Sequence, residues 1–364
     1  MSDVDGPGAP APATAGSGAS AGAAPGGRGR GLQMPKGRAQ WLELLFRFQS
    51  LFGLLAVFIA AIVFSPARNG ELLFLTTENL ANIVRSVSEI GIIAVGMTFV
   101  ILIGGIDLSV GALVGLAASG VAVLLMENDY GVVPAVALVL LIGTAFGALQ
   151  GLISSRLAVQ SFIVTLAGLQ VARGLARIWA EGQGVPLAYG SGKGHAPESF
   201  SVLNERLLGG LLPVPALIFI TVGAVAIFVL RRTTFSRHLY AIGGNERAAR
   251  LSGVPIGRIK VAVFAISGFL AALAGIIHAG QLNQGSPNDG AGYELDAIAA
   301  VVIGGTSLFG GRGTVAGTLG GALLLGILNN ILALNNVDAN VQLLIKGLVI
   351  VAAAALLTLR SSND

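Results

Sequence analysis

Val132 to Ile153 reads VVPAVALVLLIGTAFGALQGLI, a run without one charged side chain. At 1.5 Å per residue a helix of that length rises about 33 Å, enough to cross the roughly 30 Å hydrocarbon core of a bilayer. The run also carries Gly143, Gly147 and Gly151 at a four-residue interval. That ladder puts three glycines on one helix face, where backbones can approach closely because lipid supplies no hydrophobic drive between helices. A charge-free helix with a glycine seam is a membrane span built to pack against another span.

Similar runs recur through the 364-residue chain and predict ten spans: 48–64, 83–103, 110–126, 132–153, 161–180, 213–230, 261–280, 294–309, 314–334 and 341–359. The eighth is short and opens on Glu294 and Asp296. Apolar residues make up 54% of the chain and charged ones 11%, against about 25% charged in a soluble domain. Mean hydropathy is +0.81. These values exclude a soluble fold. They predict an all-α integral membrane protein of about ten transmembrane helices, a packed bundle rich in glycine, with 53 in all. Gly313, Gly317 and Gly321 repeat the four-residue ladder. A short internal echo pairs VILIGGIDL at 100–108 with VVIGGTSL at 301–308.

Residues 1–31 hold nine Gly, eight Ala and four Pro. That composition buries too little to offset the entropy of ordering, so 1–43 is expected to be a disordered cytoplasmic tail and 44–360 the transmembrane domain. The tail has neither the apolar core nor the cleavage pattern of a signal peptide. Lys and Arg set the orientation. With the N-terminus cytoplasmic, 15 of the 22 basic residues fall inside: five in the tail, seven in the loop 231–260, and Arg156, Arg312 and Arg360. The outside holds Arg68, with Lys193 and Arg206 in the loop 181–212. Both termini are therefore expected in the cytoplasm. The net charge of +4 follows membrane topology and does not point to nucleic acid.

Enzyme signatures are missing. The absence of cysteine excludes disulfides, thiolate metal sites and cysteine nucleophiles. Gly190-Ser191-Gly192-Lys193-Gly194 looks like the end of a phosphate loop, but Leu187 stands where the first glycine is needed and Gly194 where Ser or Thr is needed. Gly18-Ala19-Ser20-Ala21-Gly22 matches a nucleophile string only in the tail, where no strained elbow can form. His195, His238 and His278 lie in separate segments without metal-ligand spacing, and are expected in loops or at the interface. No catalytic residue, metal or cofactor is expected.

Three constellations carry more. In Gly104-Gly105-Ile106-Asp107-Leu108-Ser109, two glycines break the second span; Asp107 then either caps the next helix or lines a polar path with Ser109. In the loop 231–260, Asn245 is a good N-cap, Glu246 suits a helix start, Gly253 suits a left-handed stop and Pro255 prevents continuation. The expected helix, about 246–252, is marginal alone and asks for a docking partner, with the flanking spans or lipid headgroups as the plainer support. The third is QLNQGSPNDGAGYELD at 281–296, polar and turn-rich. Asn329 and Asn330 sit inside the ninth span and must find hydrogen-bond partners there, as helix glue or as path.

These segments together resemble the permease subunit of ribose/xylose-type ABC sugar importers. The matching text is IAVGMTFVILIGGIDLSVGALVGL at 93–116, SFIVTLAGLQVARG at 161–174, YAIGGNERAARLSGVPIGRIKVAVFAISG at 240–268, and GYELDAIAAVVIGGTSLFGGRGTVAGTLGGALLLGILNN at 292–330. The resemblance runs from about 44 to 359 and leaves out the tail. It implies a homodimer of ten-helix subunits in the bacterial inner membrane, surrounded by lipid. It further implies a separate ATPase below and a solute-binding protein delivering a monosaccharide from outside. On that reading Gly244, Asn245, Glu246, Arg247, Ala249, Arg250, Leu251, Ser252 and Gly253 form the coupling helix that seats in the ATPase. Transport would be by alternating access, with no covalent step in this chain. Candidate path residues are Asp107, Ser109, Gln281, Asn283, Asn329 and Asn330, neutral hydrogen-bonding groups in the main, as a sugar requires. The alternatives are a permease for another small solute, such as a branched-chain amino acid, and an ion-coupled sugar carrier in which Asp107 would titrate.

Overall fold

The computed structural model describes residues 49–361; the expected tail, 1–43, lies outside the described residues. Helices occupy every predicted apolar run. In chain order they are α1 (Gln49–Val63), α2 (Thr77–Leu102), α3 (Val110–Met126), α4 (Val132–Arg156), α5 (Ser161–Trp179) and α6 (Val214–Arg232). Two short helices follow, α7 (Thr234–Gly244) and α8 (Glu246–Leu251), and then α9 (Ile256–Leu282), α10 (Tyr293–Ile303), α11 (Val315–Leu334) and α12 (Ala339–Ser361). Among the described residues six helices, α2, α4, α5, α6, α9 and α11, are long and apolar enough to cross a membrane.

Two boundaries differ from expectation for identifiable reasons. α2 starts at Thr77 rather than near 83, because Thr76 caps it by accepting from the Asn79 N–H and Glu78 favours the positive helix start. The eighth run, expected as a span over 294–309, is corrected: its helix is Tyr293–Ile303. Eleven residues rise about 16 Å, half a bilayer core. Its first turn holds Glu294 and Asp296, and Gly305 (φ 84°) stops it.

α3 and α9 form the core. Every residue of α3 from Val110 to Leu125 is buried, as expected of a helix apolar on all sides. α9 packs against α2, α3 and α4. The glycine ladder of α4 lies on α9: a Cβ at Gly143 would come 2.7 Å from the Gly268 carbonyl, and one at Gly151 would come 2.8 Å from Cα of Val261. Gly317 and Gly321 of α11 seat in the same way on Gly304 and Ala300, while Gly313 lies in the preceding turn. The internal echo is a repeated helix stop. Gly105 N bonds Val100 O and Thr306 N bonds Val301 O, with Gly104 and Gly305 left-handed in the equivalent place.

Two stretches of non-helical backbone run inside the bundle, 103–109 before α3 and 283–292 before α10. Non-helical backbone at membrane depth survives only where protein or a water-filled cavity satisfies it. The second stretch descends along a stripe of small residues on α3, namely Gly111, Gly115, Ala118 and Ala122. Gly285 lies on Ala118 and Ala122, the carbonyls of Pro287 and Asp289 lie over Gly115, and Gly290 lies over Gly111.

Candidate functional site

The break before α3 is a closed polar knot. Asp107 is fully buried. Its Oδ1 accepts from Ser109 N (3.0 Å) and Ser109 Oγ (2.6 Å), and its Oδ2 accepts from Ser267 Oγ of α9 (2.8 Å). Gln150 of α4 donates to Ser109 Oγ at 3.0 Å. Thr165 of α5 donates to the Ile106 carbonyl at 3.1 Å. Asp107 and Ser109, expected either as a cap or as path lining, are both fully buried, and their bonds join the break before α3 to α4 and α9.

The non-helical stretch 283–292 is held from both sides. Arg173 of α5 donates to the carbonyls of Pro287 and Asp289, and Arg177 donates to Asn288 Oδ1 at 3.1 Å. Ser286 N donates to Asp289 Oδ2 at 2.8 Å. Asn283 turns the chain at φ 51°, and its side chain accepts from the Tyr189 hydroxyl at 3.1 Å. The loop 181–212 joins here, Val185–Pro186 pairing with Gln284–Gly285.

Beside this stretch lies a buried charge cluster that sequence reading did not assemble. His278 of α9 places Nδ1 2.7 Å from Glu89 Oε2 of α2, and Nε2 3.7 Å from Asp289 Oδ1. The Tyr293 hydroxyl donates to the same Glu89 oxygen at 3.2 Å. His278, expected in a loop or at the interface, is 8% exposed. The signal was present: Glu89 and His278 are ionisable residues in separate apolar runs, and each requires a partner. One turn further from α8, Arg85 donates to Gln281 Oε1 (3.0 Å) and Asn204 Oδ1 (2.6 Å), and Arg206 donates to Asn82 Oδ1 (2.7 Å). Asn330 exchanges two amide bonds with Asn79, at 2.7 and 3.1 Å, and so joins α11 to α2. Asn329 Oδ1 is buried and unbonded among the described residues.

At the opposite end of α9, α8 forms as its sequence dictates. Asn245 accepts from Ala248 N at 3.0 Å, and Gly253 closes the turn at φ 80°. Ala249 points inward at 5% exposure, whereas Leu251 is 90% exposed. Glu246 bonds Arg250 (3.1 Å) and Lys260 (2.9 Å). Partial burial pushes the Glu246 carboxyl up, but the two cations outweigh it and hold it below the usual carboxylate value. Gly243, just before α8, packs directly on Leu102 at the end of α2 and on Gly311 in the turn before α11. Gly311 N donates to Leu102 O at 3.0 Å, and the Tyr240 hydroxyl donates to Gly313 O at 2.9 Å. Gly243 and Tyr240 thus tie the chain leading into α8 to the end of α2 and to the segment joining α10 and α11. A cleft of about 310 Å³ opens between α8, the end of α4 and Gly104–Gly105.

A glycine-seamed helical bundle, with broken helices inside and a capped helix protruding at one end, defines a polytopic membrane transport protein. The chain belongs to the family described as branched-chain amino acid transport system / permease component, whose model matches residues 79–354. It is 45% identical over 280 residues to the ribose import permease protein RbsC of Haemophilus influenzae, covering 77% of this chain and 85% of that one. It is 42% identical over 307 residues to RbsC of Escherichia coli K12, covering 84% and 91%. It is 37% identical over 316 residues to the L-arabinose transport system permease protein AraH of the same strain, covering 83% and 88%. These relatives are transport components, not catalysts. No solved structure matches the chain.

Proposed function

We propose that this chain is the permease of an ATP-driven importer that carries a monosaccharide of the ribose or arabinose kind across the bacterial inner membrane. The observation that carries the reading is the near end-to-end similarity to ribose import permeases. Ten helices, α1 to α6 and α9 to α12, build the membrane domain over 44–360, α10 crossing together with its non-helical flanks. Both termini face the cytoplasm, and two copies assemble in the bilayer. Loop 181–212 and Gln284–Gly285 face the solute-binding protein. α8 is the coupling helix; its exposed Leu251 and Arg250 seat in an ATPase subunit. The stiff contact of Gly243 with Leu102 and Gly311 supports this role.

In this mechanism ATP-driven closure of the ATPase pair pushes α8. Its motion shifts the inner ends of α2 and α11 and changes which end of the path is open. Gln281, Asn283 and Asn329 line the path, whereas Asp107, Ser109 and Asn330 hold its walls. In the ion-coupled alternative Asp107 would titrate in contact with the path, and its full burial among hydroxyl donors does not favour that. A branched-chain amino acid permease would have to meet a zwitterion, whereas the printed functions of the relatives above are sugar transport. The test is reconstitution in vesicles with the ATPase and binding protein of the same system. ATP-dependent uptake of labelled D-ribose or L-arabinose is expected; uptake that proceeds without ATP would refute the importer reading.

A further inference from the structure

The end of the bundle away from α8 holds two polar rungs between α2 and α9. The outer rung is Arg85 with Gln281, and the inner is Glu89 with His278. Arg85 and Glu89 are four residues apart, as neighbours on one helix face, and His278 and Gln281 are three apart on the other. The rungs are therefore stacked one helical turn apart, about 5–6 Å.

The outer rung has a loose end. Arg85 can only donate, so it binds Gln281 through Oε1 and forces the amide nitrogen to point the other way. That nitrogen, Nε2, is buried and has no partner among the described residues. An unmet buried donor is destabilising, and a side chain offering Arg85 an acceptor without that donor would serve better unless something comes to meet it. Below it, Glu89 spends one oxygen, Oε2, on both His278 and Tyr293. No bond to its other oxygen, Oε1, is among those described.

We propose that these two rungs are the station where the sugar is received, Gln281 Nε2 donating to one hydroxyl and the Glu89 carboxylate accepting from another. A hydroxyl donates and accepts at once, so an uncharged polyol suits a ladder that alternates donors and acceptors. The proposal rests on the importer reading and places its substrate contact at Gln281 and Glu89, with Arg85 and His278 as positioning residues.

The experiment uses the complete transporter in proteoliposomes and reads sugar moved per ATP hydrolysed for D-ribose and for its 2-deoxy and 3-deoxy analogues. The binding protein is common to all variants, so a change in the ratio between sugars belongs to the permease. Gln281→Glu keeps an acceptor for Arg85 and removes the Nε2 donor; it is expected to melt no lower than wild type and to lower ribose moved per ATP at least fivefold. One deoxy analogue, lacking the hydroxyl that meets Nε2, should lose less than twofold. Glu89→Gln, the second variant, should shift the ratio for the other analogue. Equal losses for all sugars in both variants, or wild-type ratios in both, overturn the station. A wild-type transporter that moves neither these sugars nor L-arabinose with ATP overturns the importer reading itself.

Discussion

Replacing Gly115 by alanine tests the descent of the stretch 283–292 along α3. Helix propensity alone favours the change by about 1 kcal/mol. In the folded protein, however, the new methyl would stand 2.7 Å from Arg173 Nη1, 2.8 Å from the Asp289 carbonyl and 3.0 Å from the Pro287 carbonyl. Two of these are backbone atoms of 283–292 and the third is the guanidinium that binds them, so none can yield alone. Overpacking of this kind costs about 1–3 kcal/mol. Weakening the charge-assisted bonds from Arg173 to the two carbonyls adds about 1.5–3 kcal/mol. Against the propensity gain, the expected net loss is about 1.5–5 kcal/mol. Gly174 on α5 is the control, since a Cβ there meets nothing within 4 Å; Gly174→Ala should stabilise by about 0.5–1 kcal/mol. Both variants can be followed by denaturant unfolding in one detergent. Gly115→Ala as stable as Gly174→Ala would refute the close approach of 283–292 to α3.

Leu251→Asp, at a 90% exposed position, should leave thermal stability unchanged and abolish co-purification of the ATPase, with uptake falling at least tenfold on the order expected for a buried interface anchor; normal uptake would remove α8 from the coupling role. Asp107→Asn keeps an acceptor for Ser109 and should transport near the wild-type rate in vesicles, whereas Asp107→Ala leaves three buried donors short and should lower unfolding stability by about 2–4 kcal/mol. Loss of transport in a well-folded Asp107→Asn would return that residue to the path. Glu246 has a carboxyl held below its ordinary value, so its pairs contribute fully above the unfolded value of about 4.3 and are lost as pH falls through the lower folded value. With 39% of the side chain exposed, screening limits the contribution to about 1 kcal/mol or less. Glu246→Gln should flatten that part of an acid-unfolding curve, and an unchanged curve would rule the pairs out.

How much of this was readable in advance depended on the range of the signal. Runs such as Val132–Ile153 state their own length and apolarity, and Asn245, Gly253 and Pro255 state where α8 starts and stops; both are local. The eighth run misled because Gly304 and Gly305 are apolar by count yet end the helix, so hydropathy continued where the backbone did not. Asp107 offered a cap or a path, and only Ser267, 160 positions later, decides that both its oxygens are occupied. Glu89 and His278 are separated by 189 positions; each announced a need for a partner, but nothing in the string says they answer one another. Gln281 was visible as a polar residue at the end of a span, while the orientation of its amide follows from Arg85.

The stretch 283–292 also constrains how the chain is made. Alone it is too polar to enter lipid, and α10 after it is too short to draw it across. Its groove on α3 and its clamps on α5 are both encoded upstream. A ribosome delivering the chain from the N-terminus therefore completes the receiving surface before the stretch emerges. Topogenesis of this region is expected to be late and cooperative, a docking into finished protein and not a handover from the translocon to the bilayer.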